Sequence, residues 1–139
     1  MDLATLMFIS YRAMDERVIG EMQRAGFAIT AAQARLAQRI GDDGSRLTEL
    51  ADQAQVTKQT ASVLVAGLEE KGFVERVPDP RDGRARIIRF TPAGRAAVRR
   101  AQRIVLRVER EWEEHLGPGL AASLREGLTR LRELTDPYR

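Results

Sequence analysis

The chain contains no cysteine, one histidine and only two lysines. Lack of cysteine excludes disulfides, thiolate metal sites and thiol redox sensing, and agrees with a cytoplasmic location. His115 has no carboxylate or cysteine pattern around it that would make a metal site, so it reads as a surface residue near a helix end. None of Ser10, Ser45, Ser62 and Ser123 lies in a nucleophile signature, and no glycine-rich phosphate loop precedes a helix. The sequence therefore nominates no residue for an enzyme and calls for no cofactor. No apolar run approaches the roughly 20 residues of a membrane span, so no membrane partner is expected. The apolar stretch from Leu3 to Ile9 follows Asp2 instead of a basic region and lacks a small-residue cleavage site, so it does not read as a signal peptide. Internal repeats, low-complexity tracts and an interdomain linker are missing as well.

At 139 residues the chain suits one domain with its own core, and two comfortable ones would not fit. With 43% apolar and 31% charged residues it reads as a folded, well-solvated globule. Of 23 basic residues only Lys58 and Lys71 are lysine, which leaves 21 arginines. Arginine's planar fork suits phosphate and guanine edges better than lysine's point charge. A GC-rich genome would also favour arginine codons everywhere, so the placement of the arginines has to carry the argument.

Apolar positions Leu6, Met7, Tyr11, Met14 and Val18 recur at three- and four-residue spacing and predict a first helix to about Arg24, ended by Gly26. Thr30 and Gln33 form a capping-box pair that starts a second helix, which runs to Gly41 and is followed by a "GDDGS" loop. Thr48 is a candidate cap for a short third helix, and Thr57 for a fourth that Gly72 closes. "FVERV" and "ARIIRF" are rich in β-branched and aromatic residues and predict a hairpin with a long tip, in which Gly83 supplies a positive φ. Thr91 followed by Pro92 marks the start of the longest helix, whose apolar stripe includes Trp112. Trp112 is assigned to core or dimer packing. Gly117, Pro118 and Gly119 separate it from a leucine-rich last helix that stops before Pro137. The expected fold is mainly α with a small β-hairpin.

Within this order, "LTELADQAQVTKQTASVLVAGL" has the spacing of a helix-turn-helix. Leu50, Ala54, Val56, Ala61 and Leu64 sit at the buried contacts, and small Ala51 sits where the helices cross. Gln55 occupies the turn position that favours glycine, at a cost of about 1 kcal/mol. Thr57, Lys58, Gln59, Thr60 and Ser62 place short donors and acceptors on the first turns of the fourth helix, within reach of base edges or phosphates. The hairpin directly after it is the wing of the winged variant. Between Arg76 and Arg89 it carries five arginines (76, 81, 84, 86 and 89) against Asp79 and Asp82. Arg81, Asp82, Arg84 and Arg86 are the candidate wing contacts. Thr30 and Gln33, helix-capping residues first, are secondary candidates for a phosphate contact.

The motif D-P-x-D-x-R, here Asp79, Pro80, Asp82 and Arg84, followed by T-P-x-G at Thr91, Pro92 and Gly94, resembles the MarR family of bacterial transcription regulators. So do "LTELA" and the "LEEKGFVERV" run, and the resemblance extends more loosely over the whole chain. It implies a single unit over 1–139, with a winged helix-turn-helix lobe at about 30–91 and dimerisation helices at 1–24 and 92–135. It further implies a homodimer on a pseudo-palindromic double-stranded operator, with Arg84 entering the minor groove and Asp82 orienting it. The protein is then expected in the bacterial cytoplasm, on the nucleoid when bound. For many members the resemblance implies a small aromatic or phenolic effector between the dimer helices and the lobe, and no polar constellation here identifies that pocket. Constitutive or architectural DNA binding without ligand sensing stays open as the alternative. Two departures stand out: Val63 follows Ser62 where an arginine is frequent in the family, and Gly67 lies inside the fourth helix.

Overall fold

A computed structural model describes residues 1–138. The elements are α1 (Leu3–Arg24), α2 (Ala31–Ala37), α3 (Leu47–Gln53), α4 (Lys58–Glu70), β1 (Val74–Asp79), β2 (Asp82–Phe90), α5 (Pro92–Leu116) and α6 (Pro118–Thr135). The order is the one the sequence predicts, mainly α with one antiparallel hairpin.

Threonine caps define three of the helix starts. Thr30 takes the amide of Gln33 at 3.1 Å while Gln33 reaches back to the Thr30 amide at 3.2 Å, a complete capping box. Thr57 accepts from Thr60 at 3.0 Å and Thr91 from Gly94 at 3.1 Å. Thr48 does not cap α3. That helix starts two residues earlier, with Arg46 as its cap, whose backbone amide donates to the Glu49 carboxylate at 3.1 Å. Glu49 closes the exposed amide from inside the helix, so a hydroxyl at Thr48 is not needed. The α2 helix also ends sooner than Gly41, at Ala37, and passes through a turn.

Two cores carry the fold. Leu36, Leu50, Ala61, Val65, Leu68 and Ile88 bury the inner faces of α2, α3, α4 and β2 against one another. A second, smaller cluster of Met22, Ala97 and Ile104 joins α1 to α5. Ile29 and Phe73 pack against both, with Phe27 tilted against Phe73 at a ring separation of 6.1 Å. The winged lobe is thereby fixed to the long helices.

Gly94 occupies the tightest joint. A Cβ there would lie 1.9 Å from the Phe73 carbonyl oxygen, which itself accepts the Thr91 amide at 3.0 Å. Thr91 Oγ1 donates to the Gly72 carbonyl at 2.6 Å. The first turn of α5 is thus laid directly on the backbone that leads into β1, and only glycine permits that approach.

Candidate nucleic-acid interface

The turn between α3 and α4 is built around Gln55, the one non-glycine residue with positive φ (56°) among the described residues. Its side-chain amide donates to the Asp52 carbonyl at 2.8 Å, alongside its own backbone amide at 3.2 Å, at the end of α3. The left-handed strain is offset by a bond that glycine could not make. α4 follows this turn, with Ala61, Val65 and Leu68 turned into the core.

Its opposite face is open. Thr57, Lys58, Gln59 and Thr60 are exposed and Ser62 is half-buried. Thr57 is committed locally: besides capping, its hydroxyl donates to Thr60 Oγ1 at 2.9 Å. Lys58, Gln59 and Thr60 keep free donors and acceptors facing solvent. Val63, further along the same face, is 68% exposed.

The wing is shorter at its tip than the sequence suggests. Pairing runs from Val74↔Phe90 to Pro78↔Arg86, then the register shifts past Gly83, Arg84 and Ala85 and closes with Asp79↔Asp82, with Pro80 and Arg81 at the turn. Both strands extend beyond their β-branched stretches because Pro78, at the edge of a two-stranded ribbon, needs no second partner. Gly83 is not among the positive-φ residues; it lies within β2. The loop before α3, read only as a loop in the sequence, adds a bridge to the wing: Ser45 donates to the Ile88 carbonyl at 2.9 Å and accepts from the Ile88 amide at 2.8 Å.

Asp79 is the hub of the tip. Its buried carboxylate accepts from the Arg81 amide at 2.9 Å and from Arg46 Nε at 2.9 Å. The Arg81 amide first, then the Arg46 guanidinium, hold this carboxyl below its ordinary range. Asp82 accepts from the Arg84 amide at 3.1 Å and lies 3.9 Å from the Arg46 guanidinium. Asp82 therefore shapes the backbone at Arg84; the expected contact with the Arg84 guanidinium is not what its carboxylate makes here. Arg46 is the positioning residue that sequence reading missed, because its partner is 33 residues away.

The five wing arginines separate by partner. Arg76 pairs with Glu69 and Arg89 with Glu75, each at 2.8 Å. Arg81 reaches Asp79 only at 3.4 Å. Arg84 and Arg86 are exposed and have no carboxylate within 4 Å among the described residues. The tip accordingly projects cations that the base of the wing does not neutralise.

Thr30 is exposed at the start of α2, but Gln33 is only 8% exposed. Gln33 Oε1 accepts from Lys71 Nζ at 2.8 Å, and its Nε2 lies against α4, where a Cβ on Gly67 would be 2.5 Å away. The polar end of Gln33 is thus engaged inside the lobe, in the capping box and with Lys71. The same contact explains Gly67, which makes room for Gln33 between α2 and α4. Among the described residues no three His, Asp or Glu side chains converge as a metal site, and no helix is long and apolar enough to cross a membrane.

The MarR family model matches residues 27–85, the span from just after α1 into β2. The apo form of MarR from E. coli is similar over 94% of this chain and 97% of its own, at 23% identity and a TM-score of 0.76. S. aureus MepR bound to ethidium bromide is similar over 98% of both chains, at 22% identity and a TM-score of 0.66. The transcriptional regulator Tm0710 from Thermotoga maritima covers 96% of this chain and 92% of its own, at 25% identity and a TM-score of 0.67. No curated protein matches the sequence.

Proposed function

We propose that this chain, whose residues 27–85 match the MarR family model and whose fold is similar to that of MarR, is a winged-helix regulator of that family, a dimeric repressor that reads a pseudo-palindromic operator in double-stranded DNA. The observation that carries this reading is the pairing of two exposed surfaces on one lobe. The face of α4 bearing Lys58, Gln59 and Thr60 has the donors and acceptors for base edges, and the wing tip projects Arg84 and Arg86 without carboxylate partners. Phosphate contact from such arginines is sequence-independent and positions the helix; the helix supplies the choice of bases.

Dimerisation is supported by apolar side chains that this chain leaves uncovered. Leu3, Leu6 and Phe8 on α1 and Leu120, Leu124 and Leu128 on α6 are all exposed. Uncovered apolar side chains on the terminal helices support association, and a two-fold partner would set two α4 helices on one side of the duplex about one helical turn apart, roughly 34 Å. The organisation that follows is a winged lobe at about 30–91 between dimerisation helices at 1–24 and 92–135, acting in the bacterial cytoplasm and on the nucleoid when bound.

Release by a small aromatic ligand is supported by the fold relative MepR and not by the crevice of about 330 Å³ where the end of α5 meets α6, since Leu124 and Leu128, which line it, belong to the apolar surface assigned to the dimer. Its size is at the lower end for a small-molecule site. MepR, a fold relative, holds ethidium, a planar aromatic molecule.

Selection of bound duplexes from a random pool tests the reading. Two inverted half-sites about one turn apart, bound by two chains, support it. Salt-sensitive binding that enriches no sequence would instead mark an architectural DNA-binding protein.

A further inference from the structure

Val63 is the residue on α4 that packing and helix propensity leave unexplained. Its side chain is 68% exposed and belongs to neither buried cluster nor the shell around it. A β-branched residue is also a weaker helix former than the alanine or glutamate that a solvated position would tolerate. At about 100° per residue, Val63 falls between Gln59 and Thr60 around the helix axis, roughly 40° from the first and 60° from the second. Exposed Ala66 continues the same stripe one turn further on. The buried residues Ala61, Val65 and Leu68 lie on the other side. Thus the outward face of α4 is polar over its first turn and carries bare methyl groups over its second.

We propose that Val63 reads a thymine, its methyls packing on the C5-methyl group of that base in the major groove. Thymine is the base that presents an apolar group there, and a side chain with no donor or acceptor discriminates by burying it. An arginine at this position would read guanine or a phosphate; valine converts the same location from a cation to a methyl reader. The surrounding polar residues then act on neighbouring bases, with Val63 setting one A·T position in each half-site. This assignment rests on the reading of α4 as the helix that enters DNA.

The experiment uses the full chain and a duplex recovered by selection, with each thymine of a half-site replaced in turn by deoxyuridine, which lacks only the C5 methyl. One position is expected to weaken wild-type binding about fourfold, the equivalent of roughly 0.8 kcal/mol for one buried methyl group. Val63→Ala, which leaves the core untouched, is expected to bind the thymine and uracil duplexes at that position equally. Val63→Arg is expected to shift the selected base there from thymine to guanine. Equal uracil sensitivity in wild type and Val63→Ala, or specific binding with no uracil-sensitive position, overturns the assignment of Val63 alone. Failure to enrich any sequence overturns the regulator reading, and this assignment with it.

Discussion

Arg46 at the start of α3 and Asp79 at the end of β1 are joined at one carboxylate oxygen, which accepts a hydrogen bond from Nε at 2.9 Å and pairs with Nη2 at 2.8 Å. Through this pair the helix-turn-helix and the wing tip are held as one body. The other oxygen of Asp79 takes the Arg81 amide, so the turn at Pro80–Arg81 is fixed from the inside.

Arg46→Ala is expected to keep helix content and assembly but to loosen the tip, weakening binding of a selected duplex about tenfold, or roughly 1.4 kcal/mol. The charge of Arg46 is spent on Asp79, so the salt dependence should change little. Fluorescence anisotropy across a salt series checks both parts; unchanged affinity would detach Arg46 from wing positioning.

The same carboxylate sets an acid limit. Asp79 titrates below its ordinary 3.8, held down by the Arg81 amide and the Arg46 guanidinium. A depressed carboxyl pKa contributes stability that is present above the unfolded value and is lost as pH falls through the folded one. From pH 7 to 5 this contribution should stay constant, and it should fade below about pH 4. Asp79→Asn should be less stable than wild type at neutral pH and should approach it at acid pH. Denaturant titrations from pH 7 to 3 measure the gap, and a constant gap would contradict this role for Asp79.

Wing arginines should differ according to their partners. Arg84→Ala, which removes an unpaired cation, is expected to weaken binding and to lower the log–log salt slope by about 0.9. Arg89, paired with Glu75 at 2.8 Å, should matter much less. Equal losses from the two substitutions would mean that net charge, and not placement at the tip, governs binding.

Much of the fold was legible because its signals are local. Thr30, Thr57 and Thr91 cap helices as their positions suggest, Pro92 opens α5, and Gly26 and Gly72 adopt positive φ at helix ends. The contacts that the sequence did not reveal are those that depend on distant partners. Arg46 meets Asp79 across 33 residues and Gln33 meets Lys71 across 38, and no periodicity marks either pair. Gly67 looked like a cost to α4 until Gln33 filled the space beside it. Gly83 looked like a turn glycine because the β-branched stretches stop short of the paired strands. For the interface the residue types were readable, but which arginines remain unpaired was not, since that depends on Glu69 and Glu75 lying beside Arg76 and Arg89.

Gly94→Ala should be far more damaging than an ordinary glycine replacement. The new Cβ would meet the Phe73 carbonyl oxygen at 1.9 Å, in backbone that cannot swing aside, so about 3 kcal/mol or more is expected. Gly83→Ala, with nothing within 4 Å of the added atom, should stay within about 0.5 kcal/mol of wild type. Urea denaturation of the two variants compares them directly, and similar values would contradict the close joint between α5 and β1.

The central claim, that the open face of α4 and the wing tip together form the DNA interface, is tested most directly by amide NMR shifts on adding a selected duplex. The largest changes are expected at Lys58 to Val63 and at Arg81 to Arg86, with α6 little affected. Changes concentrated on α1 and α6, with α4 and the wing unmoved, would contradict it.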